Sequence, residues 1–412
     1  MNRLNNLYHI IYLLSLPLFS QELGEVTVYN TTNSSLCYDQ INDIEFGPNN
    51  QLWIGTQNGL NTFSEDGSWM LFDASTPSNQ LASNVIRSLE WAANESLSTM
   101  FIGTNYGITA VTDNNWNGDY GDTCNPNNGI INTIFYDTEL WAGSTEGLCV
   151  EGFGGEGTWL LQNTSTGWYS NNITSIKQNS NNGVIGIGTM NGGLITYNGD
   201  FNIYYSSNSG ILDNTVLDLA FDQNNNIIIC TPQAGLGVLT STGSWVWLNT
   251  LNSNLPTNSL TNVVVDNNNN LWITTLEDGL VHYINNTFYH YTAENSNLPD
   301  NNINCLEFDS NNNLWLGTET SGIVKITNPL LYNNSNLKNT IKVHPTIFND
   351  YFYVETNQKS IAKIYNQKGQ IIDSYVISKG KEKINTVEYK PGLYFITMNY
   401  AENKKTYKLI KY

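Results

Sequence analysis

Histidine is scarce in this chain, with four residues in 412. Two of them, His9 and His344, lie towards the ends, which leaves His282 and His290 for the long middle portion. A zinc site usually takes three or four His, Cys or carboxylate ligands. An acyl-transfer triad needs a His between a carboxylate and a nucleophile. Neither set is assembled here, and the sequence has no Gly-x-Ser-x-Gly elbow and no Gly-x-x-x-x-Gly-Lys phosphate loop. No cofactor, metal or catalytic residue is expected. Positive charge is also short, with 17 Lys and Arg against 36 Asp and Glu, a net charge of −19. A phosphate backbone needs a basic surface, so nucleic acid is excluded as a partner. No long apolar run lies beyond the N-terminus, so no internal membrane span is expected. The five cysteines (Cys37, Cys124, Cys149, Cys230, Cys305) are odd in number and widely spaced. Only Cys124–Cys149 is a candidate disulfide, and Cys230 and Cys305 sit in apolar strand-like runs where a small buried hydrophobe is expected.

What is present argues for a folded, exported, all-β protein. Hydrophobic residues make up 40% and aromatics 12%, enough for a sizeable core and against disorder. Met1 and Arg3 precede an apolar stretch from Leu7 to Phe19 that ends at Ser20, so residues 1–20 read as an export signal too short to span a bilayer.

One unit is written seven times. A strand such as Leu52-Trp53-Ile54-Gly55-Thr56 is followed by a short loop and Gly59-Leu60. The second glycine recurs at 59, 107, 147, 193, 235, 279 and 322, at intervals of 48, 40, 46, 42, 44 and 43 residues. That period matches four-stranded propeller blades of ~40–50 residues. In the sixth copy the strands are expected at Leu260 to Asp266, Leu271 to Thr275, Gly279 to Tyr283 and Phe288 to Tyr291. β-branched and aromatic residues fill these runs, while Asn, Asp and Gly fill the turns. The turns beginning at Asp222, Asp266 and Asp309 mimic a calcium loop. They lack the Gly at its sixth position, so side-chain-stabilised hairpin turns are expected instead. The seventh copy lacks its last strand, and Val26 to Asn30 is the candidate to supply it and close the ring.

These residues resemble the two-component-regulator propeller family, over roughly Val26 to Thr327. The best-known members are periplasmic sensors of hybrid histidine kinases that detect glycan fragments. This sequence carries one ring, no membrane span and no kinase, so their signalling role is not expected to carry over.

Composition changes near residue 341. Residues 341–412 hold 12 Lys against 6 Asp and Glu, which leaves the first 340 residues with a net charge of −25. Strands are expected at Phe352 to Glu355, Ile361 to Tyr365, Ile371 to Val376, Ile384 to Tyr389, Leu393 to Met398 and Thr406 to Ile410, a small Ig-like β-sandwich. Val343-His344-Pro345, Pro391-Gly392-Leu393-Tyr394 and the closing Lys408-Leu409-Ile410-Lys411 resemble the type A sorting domain of the Bacteroidota type IX secretion system. The resemblance implies contact with that machinery, passage across the outer membrane, cleavage near the linker, and release or surface attachment. The expected organisation is thus a signal at 1–20, a seven-bladed propeller at 21–329, a linker at 330–340 and a sorting domain at 341–412.

Strand order puts the turn between second and third strands on one side of the ring in every blade. That gathers Gln57, Asn58, Asn105, Tyr106, Thr145, Glu146, Met190, Asn191, Gln233, Glu277, Asp278, Glu319 and Thr320 around one mouth. Amides, hydroxyls, an aromatic and carboxylates suit a polar ligand such as a polysaccharide. A non-catalytic binding module for a glycan or a surface protein is the expected function. The alternatives are a structural adhesin and a glycan-active hydrolase or lyase using Glu146, Glu277 or Glu319, which would need two carboxyls at a set separation.

Overall fold

A computed structural model of the chain describes residues 23–412 except 77–80, 94–97, 114, 121–129, 153–158, 328, 330–340, 345–346, 357–358, 379 and 401–402. The expected export signal, Cys124 and the expected linker lie outside the described residues. The chain divides into two compact units, Met1–Thr327 and Asn328–Tyr412.

The first unit is a seven-bladed β-propeller of four-stranded antiparallel sheets. Blade one sets the pattern. Ile41–Phe46 is innermost, followed outward by Leu52–Thr56, Gly59–Phe63 and Trp69–Phe72. Innermost strands of successive blades pack against one another, and Ile303–Phe308 of blade seven packs against Ile41–Phe46, so the series closes into a ring. The fourth strand of blade seven comes from the other end of the sequence. Glu25–Tyr29 pairs antiparallel with Ile323–Thr327, one residue ahead of the expected Val26 to Asn30. Asn297 fastens its approach, accepting from the Leu23 amide at 3.2 Å and donating to the Gly24 carbonyl at 2.9 Å. Between blades the apolar faces interleave: Leu36, Ile41, Ile44 and Ile54 of blade one bury against Cys305, Trp315 and Ile323 of blade seven. Each fully buried Ile or Leu is worth roughly 1.5–3 kcal/mol.

The repeated letters have identifiable jobs. In every blade the hydroxyl that ends the second strand donates to the carbonyl of the glycine after the turn. Thr56 reaches Gly59 O at 2.8 Å, Ser144 reaches Gly147 O at 3.0 Å and Thr275 reaches Gly279 O at 2.9 Å. The same holds for Thr104, Thr189, Thr231 and Thr318. Gly279 takes φ +82°, and a Cβ there would lie 2.3 Å from the Tyr291 carbonyl oxygen, so only glycine fits. The glycine before the hydroxyl serves blade contact instead: a Cβ on Gly143 would lie 2.5 Å from Ile173 Cγ2 of the next blade.

At the opposite end of the ring the turns that mimic a calcium loop are the expected hairpin turns. Asp266 Oδ1 accepts from the amides of Asn268 at 2.8 Å and Asn270 at 3.0 Å, with Asn269 left-handed at φ 62°. That left-handed Asn also bridges blades, since Asn269 Oδ1 accepts from Gln223 N at 2.8 Å and Asn225 Oδ1 from Asn179 Nδ2 at 3.1 Å. Cys149 is disulfide-bonded, while Cys37, Cys230 and Cys305 are free, the last two buried.

The second unit is a small Ig-like sandwich. A three-stranded sheet (Ile341–His344, Tyr351–Thr356, Gly380–Asn385) is accompanied by a five-stranded one in the order Ile347–Phe348, Asn403–Lys411, Gly392–Tyr400, Ser360–Asn366, Ile371–Ile377. The strand expected over Ile384 to Tyr389 runs earlier, at Gly380–Asn385. Thr386 turns the chain there by donating its amide to Asp350 O at 2.8 Å and accepting from Tyr389 N at 2.9 Å. The closing Lys411 is buried and donates its ammonium to the carbonyls of Thr386 (2.9 Å) and Asn349.

Candidate functional site

Register fixes where the mouth lies. The end of each second strand pairs with the start of the innermost strand, as in Ile41 opposite Thr56 and Ile303 opposite Thr318. The following turn therefore stands beside the channel rim in every blade. The rim is a belt of side chains that donate to the next blade's backbone. Asn132 Nδ2 reaches Ile173 O at 2.8 Å, Asn262 Nδ2 reaches Asn304 O at 2.9 Å and Asn304 Nδ2 reaches Ile41 O at 2.8 Å. Asn42 and Thr174 do the same to Ile86 O and Val216 O, both at 2.5 Å.

Of the thirteen candidate residues, three reach this belt. Gln57 Nε2 donates to Asn42 Oδ1 at 3.1 Å, Asn105 Oδ1 accepts from Arg87 Nε at 2.9 Å, and Glu319 Oε2 accepts from Asn304 Nδ2 at 2.9 Å. Thr145 and Met190 are tied through their backbone amides to Ile130 O and Asn172 O, at 3.1 and 2.9 Å. Asn191, Gln233 and Thr320 are exposed and donate their backbone amides to Thr215 Oγ1, Asp213 Oδ2 and Asp300 Oδ2. Glu146 is half-buried, with its amide donated to Ser144 Oγ at 3.0 Å. Asn58, Tyr106, Glu277 and Asp278 are exposed, Tyr106 to 69%.

Below the belt lies a group of charges that reasoning from turns alone overlooked. A cavity of about 300 Å³ runs down the axis and is lined by the innermost strands of all seven blades. At the register of Glu45 the other blades carry Glu90, Phe135, Lys177, Ala220, Val264 and Glu307. Blades seven, one and two are neighbours in the ring, so Glu307, Glu45 and Glu90 stand side by side, with Lys177 supplied by blade four. One layer nearer the mouth are Asp43 and Asp218, whose carboxylates brace neighbouring blades. Asp43 Oδ2 accepts from Leu89 N at 2.7 Å, and Asp218 Oδ2 accepts from Val263 N at 3.0 Å. Glu90 Oε1 accepts from Tyr136 N at 3.0 Å. Glu307 Oε2 is buried with no hydrogen-bond partner.

The channel admits water, so these side chains keep some accessible surface, yet protein surrounds them and the charged forms are poorly solvated. Burial pushes Asp43 up to about 6, Glu90 to about 7 and Glu307 to about 8. Glu45 is raised well above the ordinary carboxyl range, by burial first and then by the charges of Glu307, Glu90 and Asp43. For Lys177 burial disfavours the ammonium, but Asp218, Glu90, Asp43 and Glu45 outweigh it and hold the residue charged above the usual lysine range. Among the described residues no three His, Cys, Asp or Glu side chains converge closely enough to hold a metal ion. A signal for the layer existed in the sequence: Ile44-Glu45-Phe46, Leu89-Glu90-Trp91 and Leu306-Glu307-Phe308 repeat one pattern in three copies.

His282 is buried against Trp272, with ring centroids 4.0 Å apart, and burial lowers it to about 4. It is a neutral packing residue. His290 Nε2 meets the Asp278 carbonyl at 2.5 Å.

Fold and mouth together define the class: a single-ring, seven-bladed β-propeller joined in sequence to a small Ig-like sandwich. Residues 297–320 match the family of two component regulator propellers, and residues 342–412 match the secretion system C-terminal sorting domain. The second match makes this a secreted or cell-surface protein. No curated protein matches its sequence. Solved structures are similar in fold. The extracellular domain of BT3049, assigned to a hybrid two component system of B. thetaiotaomicron, superposes with TM-score 0.65 at 16% identity, over 94% of this chain and 57% of that one. PorZ, an essential surface component of the type-IX secretion system of Porphyromonas gingivalis, gives TM-score 0.56 at 15% identity, over 93% and 61%. The WD40 propeller domain of Doa1 gives 0.55 at 12% identity, over 76% and 98%. The chain thus spans about 57% to 61% of the length of the first two.

Proposed function

We propose that the ring is a non-catalytic binding module whose mouth end takes a polar ligand of the glycan class. In this reading residues 1–20 are the export signal, 21–329 the working propeller, 330–340 the linker and 341–412 the address. One observation carries it. All the large exposed apolar side chains on described propeller loops (Tyr38, Tyr106, Tyr169, Leu212, Leu251 and Leu276) lie on segments that reach the mouth end. They stand among the exposed polar residues Asn58, Glu277 and Asp278. Sugar rings present apolar faces edged with hydroxyls, so exposed aromatics beside amides and carboxylates are the complementary surface. Tyr169 and Tyr205 stack at 4.5 Å and extend that aromatic surface to the link between blades three and four.

The test is retention of purified protein on immobilised polysaccharides, with new reducing ends followed in the same samples. Tyr106→Ala combined with Glu277→Ala is expected to abolish retention while leaving the thermal transition within about 0.5 kcal/mol, as for exposed sites generally. Retention unmoved by that pair would favour a broad adhesive surface, for a surface protein or as a structural adhesin. Fresh reducing ends that vanish in Glu146→Gln, Glu277→Gln or Glu319→Gln would replace binding with hydrolase or lyase chemistry.

A further inference from the structure

The axial charges belong to none of the loops just discussed, and the ring would close without them, since at the same register blades three, five and six use Phe135, Ala220 and Val264. Three adjacent blades nevertheless place Glu307, Glu45 and Glu90 together, and Asp43 and Asp218 stand one layer above. The cations that face them are Lys177 and, at the rim, Arg87. Asp43, Asp218 and Glu90 have structural hydrogen bonds to backbone amides, whereas one oxygen of Glu307 is buried and unpartnered. A buried carboxylate oxygen without a donor is costly unless something supplies one. The carboxylates do not converge on a point, which disfavours a bare metal ion. They surround a cavity of about 300 Å³, at the small end of ligand pockets.

From this arrangement we infer that the axial channel is a receptor for a primary ammonium group, entering through the amide belt and lodging against Glu307 and Glu45. An ammonium presents three N–H donors on a compact charge, so it can bridge carboxylates that are too far apart to share one metal. Lys177 points the same way, since Asp218, Glu90, Asp43 and Glu45 outweigh burial and hold its own ammonium charged in the channel. Sources with this chemistry are a free polyamine and an amino sugar with its nitrogen deacetylated. The inference stands whether or not the mouth binds neutral glycans.

Burial raises Glu90 to about 7 and Glu307 to about 8, so in the free protein they carry protons that an incoming ammonium displaces. Binding of an amine that stays charged throughout, such as spermidine, is therefore expected to release protons and to tighten as pH rises from about 6 to about 8.5. The experiment is titration calorimetry on the full-length chain in two buffers of different ionisation heat. Its probes are spermidine, a glucosamine tetramer, and the N-acetylglucosamine tetramer as neutral control. Spermidine is expected to bind with proton release throughout this range, the glucosamine tetramer to bind at its acid end where its amines are charged, and the control to release no protons. Glu45→Gln with Glu307→Gln should weaken amine binding about tenfold or more, since a hydrogen bond to a charged group is worth about 1.5–3 kcal/mol. Burial already disfavours the charged form of both glutamates, so the neutral amide variants keep the fold. Lys177→Met removes the resident cation and is expected to tighten amine binding, which a merely structural lysine would not do. Spermidine without the sugar amine would assign the site to polyamines, and the reverse to amino sugars. Absence of both amines, or equal weakening by Glu277→Gln with Asp278→Asn on the surface, would overturn the inference. Binding of the neutral tetramer alone would overturn it and leave the glycan reading intact.

Discussion

The turn that ends each second strand and the inner wall beside it lie a few residues apart, yet the seven blades treat them oppositely. At the turn all seven use a Ser or Thr hydroxyl that donates to a glycine carbonyl. At the wall the register of Glu45 holds Glu, Glu, Phe, Lys, Ala, Val and Glu around the ring. Positions where the copies agree carry the fold, because each blade must solve the same closure and packing problem. Positions where they differ are released from that duty, and there the chain concentrates charge. In a repeat protein the candidate site is best sought where the repeat breaks.

Breaking the agreed positions should have the largest effect. Gly279→Ala forces a Cβ into a left-handed turn and against the Tyr291 carbonyl oxygen, 2.3 Å away. A loss of about 3 kcal/mol is expected, read from urea unfolding of the purified chain. Thr275→Val keeps the shape but removes the hydroxyl that joins Gly279 O and Asp278 N, at 2.9 Å each. About 1–2 kcal/mol should be lost in the same assay. The wall position should answer differently, through pH. Asp43, Glu90 and Glu307 sit at about 6, 7 and 8 in the folded ring, against about 4 when unfolded. The folded state therefore holds extra protons between these limits, and stability falls as pH climbs from about 5 to about 8.5. His282, held neutral at about 4, works the other way below pH ~6.5 but is a single group. The urea midpoint should drop over that range, and Glu307→Gln should reduce the drop. An unchanged slope would show that the wall is not where the protons reside.

The period of the second glycine, the four strands per copy and the missing last strand were all readable, because each follows from local turn chemistry repeated seven times. The strand Gly380–Asn385 was misplaced towards Tyr389, since Thr386 and Asp350 settle the turn through a contact invisible in the local pattern. At the mouth, strand order was enough to gather the turns. It could not distinguish Gln57, Asn105 and Glu319, whose side chains bond to the rim, from Asn191, Gln233 and Thr320, whose backbone amides are taken by Thr215, Asp213 and Asp300. The wall glutamates went unread because each looks like a solvated strand residue until seven registers are laid side by side.

One further consequence follows from the pairing of Glu25–Tyr29 with Ile323–Thr327. The residues that complete the last sheet are the earliest of the domain to be made, so their bare hydrogen-bonding edge must wait while six other sheets assemble. A waiting edge is a template for foreign strands, and bringing its partner back carries the entropy of closing almost the whole domain as one loop. The clasp shuts last or not at all. Clipping a few residues from its leading side should therefore leave a gapped coil that is prone to capture neighbours.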